Sequence, residues 1–352
     1  MKFTLEPIVT CKDIKNVDAA LADINFNDID AMQKKANELL ALISNFKKFG
    51  MTESVVSLVR PSLESWNIKC DNITVCMESM WDKFQAGARD IWAKIVAAIR
   101  RFGEIVMNLF SKRDNLKKNA GKVDQLTFKE LKALPNASTE AWEDNPAEYV
   151  GKKWGDVVSN KALLSDKEFI EIADISGKMT PIQKKLSKFL SDLANNVGAA
   201  ASESIGAKYE DANAELTAVP NVEKFLSTGE FSDPANANKS FSELGHTFTK
   251  SIIHSDEILS MQKELQSTSK EMNAFLDKAA KQFAANKRTE ERGKLKTSNA
   301  AELTEAENLF HKIFATLQRT LQADLRRGME GLKTISVLDN AARKLLKSND
   351  IQ

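Results

Sequence analysis

Residues 78–111 place apolar side chains at alternating steps of three and four residues, and this spacing constrains the fold more than any other feature. The stripe consists of Trp81, Phe84, Ala88, Ile91, Ile95, Ala98, Phe102, Ile105 and Leu109, and it is widened by Trp92, Ile99 and Val106. A period near 3.6 residues is typical of an amphipathic helix. The segment therefore predicts one helix about 50 Å long, with one apolar face.

Few residues in the rest of the chain would interrupt helices. Only 7 Pro and 14 Gly occur among 352 residues. A second seam, predicted to lie on a long helix over 299–346, consists of Leu303, Ala306, Phe310, Ile313, Leu317, Leu321, Leu325, Gly328, Leu332 and Ile335. The predicted fold class is all-α, an elongated helical bundle. Its C-terminal part is predicted to be an antiparallel hairpin of two long helices, 241–285 and 299–346, with coiled-coil-like packing.

Composition and helix-breaking residues divide the chain into four predicted segments. They are a helical N-terminal leader (1–64), the region of the long basic helix (65–126), a middle region of short helices (127–239) and the hairpin (240–352). In the third segment SDKE and TPIQ predict helix starts at Ser165 and Thr180, since both have typical first-turn residues. The β-branched residues of 66–76 predict an extended or turn connection.

Charge is distributed unevenly along the chain, although the formal net charge is only +1. Residues 83–122 hold ten Lys or Arg against three acids, a local +7, whereas 127–260 hold fourteen basic and twenty-one acidic residues, a local −7. The candidate contacts with nucleic acid or another anionic surface are Arg89, Lys94, Arg100, Arg101, Lys112, Arg113, Lys117 and Lys118. Contact with nucleic acid would be to phosphates, independent of sequence. The acidic middle of another copy is an alternative partner.

The aromatic and basic helix allows three interpretations. Packing in a protein core is the default for an apolar stripe. Lys and Arg beside Trp and Phe also suit a helix that lies on a membrane surface, and the cations suit nucleic acid. No run of about 18 apolar residues occurs, so no membrane-spanning helix is predicted. The first residues lack the apolar core of a signal peptide.

No arrangement of residues predicts catalysis. The chain lacks a GxxxxGK[ST] phosphate loop, a GxSxG turn and a glycine-rich dinucleotide turn. Its three histidines and three cysteines lack the spacings of zinc or redox motifs. We therefore expect no enzymatic activity, no cofactor and no metal site, and we expect the cysteines to be reduced.

One combination of motifs indicates a family. A leader that ends near RPSLESW is followed by a helix of the form W…IW.KI…I.RF…LFSKR..LKK.A, and helical segments complete the chain. This combination, which covers about residues 60–125, resembles the internal head and virion structural proteins of jumbo tailed bacteriophages. The resemblance implies a precursor trimmed by a prohead protease after a small residue, any residue and then Glu. Ser62, Leu63 and Glu64 fit that pattern, and other tripeptides of the chain also fit it, among them those at 36–38, 138–140 and 201–203.

The resemblance favours a non-enzymatic structural protein inside the phage head, made in the host cytoplasm. Its basic helix would contact phage DNA non-specifically or neighbouring virion proteins, and the prohead protease would be a further partner. Two alternatives stay open. One is a membrane-active protein, pore-forming or membrane-remodelling, that uses residues 78–113, and the other is an early host-acting phage factor that is absent from the particle.

Overall fold

Helix is the dominant structure of this protein. The computed structural model describes residues 20, 24, 26–49, 60–61, 63–64, 67–68, 73–125, 162–195, 199–232, 263 and 297–348. Of these residues 89% are helical and none lies in a sheet. The predicted all-α class is therefore confirmed for the described part of the chain, whereas the elongated shape and the four segment boundaries stay predictions.

The chain forms two compact units, one of residues 22–98 and one of residues 99–352 with 1–21. The first unit contains helix α1, Phe26–Phe49. Among the described side chains of α1, Ile29, Ala36 and Leu39 are buried, and they recur at helical spacing.

A tight turn follows the helical residues 60–61 and 63–64. Asn67 has φ 55°, in the left-handed region that Asn tolerates better than most residues. The N–H of Asn67 donates to the Glu64 carbonyl at 2.9 Å, and the N–H of Ile68 donates to the Leu63 carbonyl at 3.0 Å. This pair of bonds is a Schellman motif, and the burial of Leu63 and Ile68 fits the apolar contact that accompanies it.

The long amphipathic helix predicted over 78–111 is confirmed as α2, Ile73–Ser111. It begins five residues earlier than predicted, so the extended connection predicted for 66–76 is wrong over Ile73–Cys76. The buried part of its stripe is Ile91, Trp92, Ile95, Ala98, Ile99, Phe102, Ile105, Val106 and Leu109, each 6% exposed or less. This face of α2 therefore packs in a protein core, whereas the side chains of Trp81, Phe84 and Ala88 lie outside the described residues.

A one-residue break at Lys112 separates α2 from α3, Arg113–Gln125. The N–H of Lys112 donates to the Leu109 carbonyl at 3.1 Å, and Ser111 Oγ donates to the Asn108 carbonyl at 2.7 Å. Such bonds to the residue three positions earlier tighten the last turn of a helix. The basic segment is therefore carried by two helices, not by one.

The unit that contains α3 also contains α4, Asp166–Asn195, α5, Ala199–Thr217, α6, Val222–Leu226, and α7, Thr297–Ser348. The predicted start of α4 at Ser165 is confirmed. The N–H of Glu168 donates to Ser165 Oγ at 3.3 Å, and the N–H of Ser165 donates to Glu168 Oε2 at 2.7 Å. These reciprocal bonds form a capping box, which satisfies N–H groups that the first turn leaves without a partner.

The second predicted helix start in this region, at Thr180, is wrong. Thr180 and Pro181 lie inside α4, and Thr180 Oγ1 donates to the Ser176 carbonyl at 3.0 Å. Pro181 removes one backbone N–H, but it is exposed, whereas Met179 and Ile182 beside it are buried. Packing of the buried face therefore maintains the helix through a residue that is typical of a first turn.

Helix α7 is central to its unit, since it packs against α3, α4, α5 and α6. It runs antiparallel to α4, because Gln183 bonds to Asp324 whereas Leu164 bonds to Thr334. The predicted second arm of the hairpin is confirmed as α7, and its buried seam includes Ala306, Phe310, Ile313, Leu317, Leu321, Leu325, Leu332 and Ile335. The predicted first arm, 241–285, lies outside the described residues apart from helical residue 263, so the hairpin stays a prediction.

Candidate functional site

Three cations of the predicted basic surface are exposed to solvent: Arg100 on α2, and Lys117 and Lys118 on α3. None of them forms a side-chain ion pair with another residue in the described ranges. A helix that is fixed to a core holds such charges at constant positions, which favours their use in binding. These three residues are therefore the most available part of the candidate interface.

Helix α3 is anchored to the core beneath its exposed lysines. Leu116 and Ala120 are buried. Asn119 Nδ2 donates to Asp339 Oδ1 of α7 at 3.1 Å, and Arg343 Nε donates to the other oxygen of Asp339 at 2.8 Å. Leu116 and Ala120 are buried whereas Lys117 and Lys118 are exposed, so a partner could bind the lysines without displacing α3.

Two further cations of the predicted surface form ion pairs, one of them exposed and the other half-buried. Lys94 Nζ lies 3.2 Å from Asp28 Oδ2, and Arg101 Nη1 lies 2.9 Å from Glu104 Oε2. Surface pairs of this kind contribute about 1 kcal/mol or less. A phosphate could therefore compete for these cations, although the carboxylates beside them lower the local positive potential.

The remaining cations of the predicted surface differ in their exposure. Lys112 is half-buried, and its Nζ donates to Asn108 Oδ1 at 3.3 Å. Arg113, the first residue of α3, is also half-buried. The side chain of Arg89 lies outside the described residues. The structure thus divides the predicted set into exposed, paired and half-buried side chains.

The candidate processing tripeptide lies at the Schellman turn. Ser62 is outside the described residues, Leu63 is fully buried, and Glu64 is exposed. A protease binds the residues around the scissile bond as an extended strand. Cleavage after Glu64 would therefore require the bonds of this turn to open and the Leu63 side chain to leave the core.

Arg327 on α7 is a buried polar residue that the sequence interpretation missed. Its side chain is 0% exposed. Nε donates to the Phe225 carbonyl at 3.1 Å, Nη1 to the Gly229 carbonyl at 2.9 Å and Glu330 Oε1 at 2.6 Å, and Nη2 to the carbonyls of Lys224 at 3.0 Å and Ser227 at 3.1 Å. A guanidinium group has five N–H donors, so every donor has an acceptor.

Aromatic rings complete the environment of Arg327. Its guanidinium carbon lies 5.2 Å from the Phe231 ring centre and 5.8 Å from that of Phe225. Glu330 also accepts a bond from the N–H of Phe231 at 3.1 Å. Burial lowers the pKa of Arg327, and the charge of Glu330 opposes that change. This cluster fixes α6 and the residues after it to α7, and its donors are not available to a ligand.

Asp324 is a second buried charged residue on α7. Its side chain accepts a bond from Gln183 Nε2 to Oδ2 at 2.6 Å. Its Oδ1 atom has no hydrogen-bond partner in the described part of the chain. Burial raises the pKa of Asp324 to about 7, and the neighbouring polar side chains of Gln183 and Ser176 act in the opposite direction.

Within the described ranges, no three His, Cys, Asp or Glu side chains are grouped so that they could hold a metal ion. No helix of those ranges combines the length and the apolar character that a bilayer crossing needs. His311 is buried on α7, where its ring makes an edge contact with Phe310 at a centroid distance of 5.7 Å.

No protein-family model, curated protein or solved structure matches this chain.

Proposed function

We propose that this chain is a non-enzymatic structural protein of a tailed-phage particle, inside the head, and that its α2–α3 junction contacts DNA phosphates or acidic surfaces of neighbouring virion proteins. The observation that carries the contact is the exposure of Arg100, Lys117 and Lys118 on helices anchored to the core. The assignment to a phage particle rests on the sequence resemblance of residues 60–125.

The distribution of charge supports a local contact instead of a general attraction to DNA. The basic segment has a local charge of +7, but the whole chain has a net charge of only +1. Each Lys or Arg that neutralises a phosphate releases condensed counterions, which drives binding at low salt. The acidic residues elsewhere would repel DNA, so a bound duplex would lie along the α2–α3 junction.

Burial of the apolar face of α2 distinguishes this proposal from the membrane-active alternative. Ile95, Phe102 and Ile105 are fully buried. A surface helix binds a bilayer through an exposed apolar face. Membrane binding through α2 would first require these side chains to leave the core, whereas phosphate contact through the exposed cations requires no rearrangement.

Reversal of two charges on α3 tests the contact. We expect Lys117→Glu with Lys118→Glu to weaken binding to a fluorescent DNA duplex on the order of tenfold, and to reduce the slope of log affinity against log salt by about 2. Fluorescence anisotropy between about 50 and 200 mM salt measures both quantities.

The matched control reverses two exposed lysines on other helices, Lys188→Glu on α4 with Lys208→Glu on α5. This pair changes the net charge equally, so it should leave the affinity close to that of the original protein. Equal losses in the two variants would show that only total charge matters. Unchanged binding in the Lys117 and Lys118 variant would contradict a DNA contact at α3.

Mass spectrometry of purified, nuclease-treated particles of the encoding phage tests the assignment to the virion. Peptides from α4, α5 and α7 are expected in the particles. Their presence only in infected cells would overturn the proposal and support an early host-acting factor. If the leader is trimmed after Glu64, the first residue in particles is Ser65, and an intact Met1 terminus would exclude trimming.

A further inference from the structure

The interface between α4 and α7 contains an acidic side chain that has no counter-charge. Asp324 on α7 is 3% exposed, and from α4 it meets Gln183 and Ser176, which are 2% and 5% exposed and carry no charge. Gln183 provides one hydrogen bond, to Oδ2. The second oxygen, Oδ1, lacks a partner among the described residues. An ionised carboxylate at this position would be poorly solvated, whereas a neutral carboxyl group is accommodated at much lower free energy.

The charged groups nearest along α7 do not compensate Asp324. Arg327, one turn away, uses all five of its donors on Glu330 and on backbone carbonyls of 224–229. Glu330 bonds to Arg327 and to the N–H of Phe231. Gln183 and Ser176 are the side chains that oppose the effect of burial on Asp324, and no charged group of α2, α3, α4, α5 or α6 in the described ranges offsets its charge.

We propose that Asp324 is a proton-dependent latch between α4 and α7. With its proton bound, the carboxyl group stays in the interface and the two helices pack. When it loses the proton, the buried negative charge draws in water, and the α4–α7 interface opens more often. This inference does not depend on the proposed DNA contact or on the phage assignment.

The direction of the pH effect follows from the two states. Burial raises the pKa of Asp324 from 3.8 to about 7 when the interface is closed. In an open, hydrated interface the pKa returns toward its ordinary value. Asp324 therefore stabilises the closed state. This stabilisation is fully present below about pH 4 and is lost as the pH rises through about 7. With these two pKa values, the equilibrium constant for opening of the α4–α7 interface rises on the order of fiftyfold between about pH 5 and pH 7.5.

Hydrogen–deuterium exchange of the full chain tests the latch. After correction for the intrinsic exchange rate, peptides that cover 176–187 should exchange on the order of fiftyfold faster at about pH 7.5 than at about pH 5. Asp324→Asn keeps the shape of the neutral side chain but cannot ionise, so it should reduce this ratio to a few-fold at most. Asp211→Asn on α5 is the control, because it removes an exposed ionisable carboxyl group outside the interface, and it should retain the large ratio at 176–187.

Equal pH dependence in the original protein and in Asp324→Asn would overturn the proposal. If Asp324→Asn does not fold, the carboxyl carbon of Asp324 can be followed by NMR in the original protein labelled with carbon-13 at aspartate. A midpoint near 7 supports the latch, and a midpoint near 4 overturns it. Gln183→Leu removes the donor to Oδ2, so it should move that midpoint upward, and a downward or absent shift would also contradict the proposal.

Discussion

Replacement of Arg327 by methionine is expected to lower the free energy of unfolding by about 3–5 kcal/mol, which is typical of the loss of one partner from a buried ion pair. Methionine keeps an apolar stem of similar length, so the change isolates the guanidinium group. Glu330 would lose its buried cation, and the carbonyls of 224–229 would lose their donors. Urea unfolding followed by circular dichroism measures the loss.

Two further variants separate the geometry of Arg327 from its charge. Arg327→Lys keeps the positive charge but has three donors in place of a planar set of five, so it should also be strongly destabilising. Arg326→Ala removes a more exposed neighbour that donates to the Ser227 carbonyl at 3.2 Å, and it should cost about 0.5 kcal/mol. A loss below about 1 kcal/mol for Arg327→Met would show that the buried cluster does not hold α6 to α7.

Replacement of Gly328 by valine is expected to lower the free energy of unfolding by about 3 kcal/mol, at the upper end of the usual range for overpacking. A Cβ atom on Gly328 would lie 2.6 Å from Cζ of Phe102. Phe102 is fully buried, so its ring has little room to move away. The larger side chain would therefore separate the last turns of α2 from α7, and urea unfolding should detect the change.

Gly177→Ala in α4 is the matched control for Gly328. Gly177 is exposed within a helix, and a Cβ atom there would meet nothing within 4 Å. Because alanine favours helix more than glycine does, this variant should gain about 0.5–1 kcal/mol. Gly328→Ala should instead lose stability, and Phe102→Leu should recover part of that loss when the two are combined. Stabilisation by Gly328→Ala alone would show that Phe102 moves aside.

Apolar periodicity was sufficient to predict the two longest helices. The spacing of Ile91, Ile95 and Phe102 predicted α2, and that of Leu317, Leu321 and Leu325 predicted α7, because a helix with one buried face repeats every 3.6 residues. The Ser165 start of α4 could be predicted since its capping box is local. These features could be predicted because the residues that determine them lie within a few positions of one another along the chain.

The buried charged residues of α7, Asp324 and Arg327, could not be predicted in the same way. Asp324 bonds to Gln183 across 141 residues, and Arg327 bonds to the Phe225 carbonyl across 102 residues. A single sequence does not show such pairings, and charged residues on a long helix usually lie in solvent. One local signal existed, because Asp324 is three residues after Leu321 and four before Gly328, which places it on the apolar seam.

The candidate basic surface was predicted as a set of cations, but not as a geometry. The eight residues look alike in sequence, since spacing alone does not reveal which carboxylates lie near each of them. Asp28 is 66 residues from Lys94 along the chain, yet the two form an ion pair. The break at Lys112, which separates α2 from α3, is also absent from the charge pattern, which continues through it.

The position of α7 along the chain has a consequence for synthesis. Its partners Asn119 and Leu164 are translated 220 and 170 residues before the Asp339 and Thr334 that they contact. Contacts between residues so distant in sequence form slowly, and apolar surface stays exposed until they do. Helices α2 to α6 therefore emerge from the ribosome without the element that completes their core. Nascent chains are expected to need chaperone protection until α7 has left the exit tunnel.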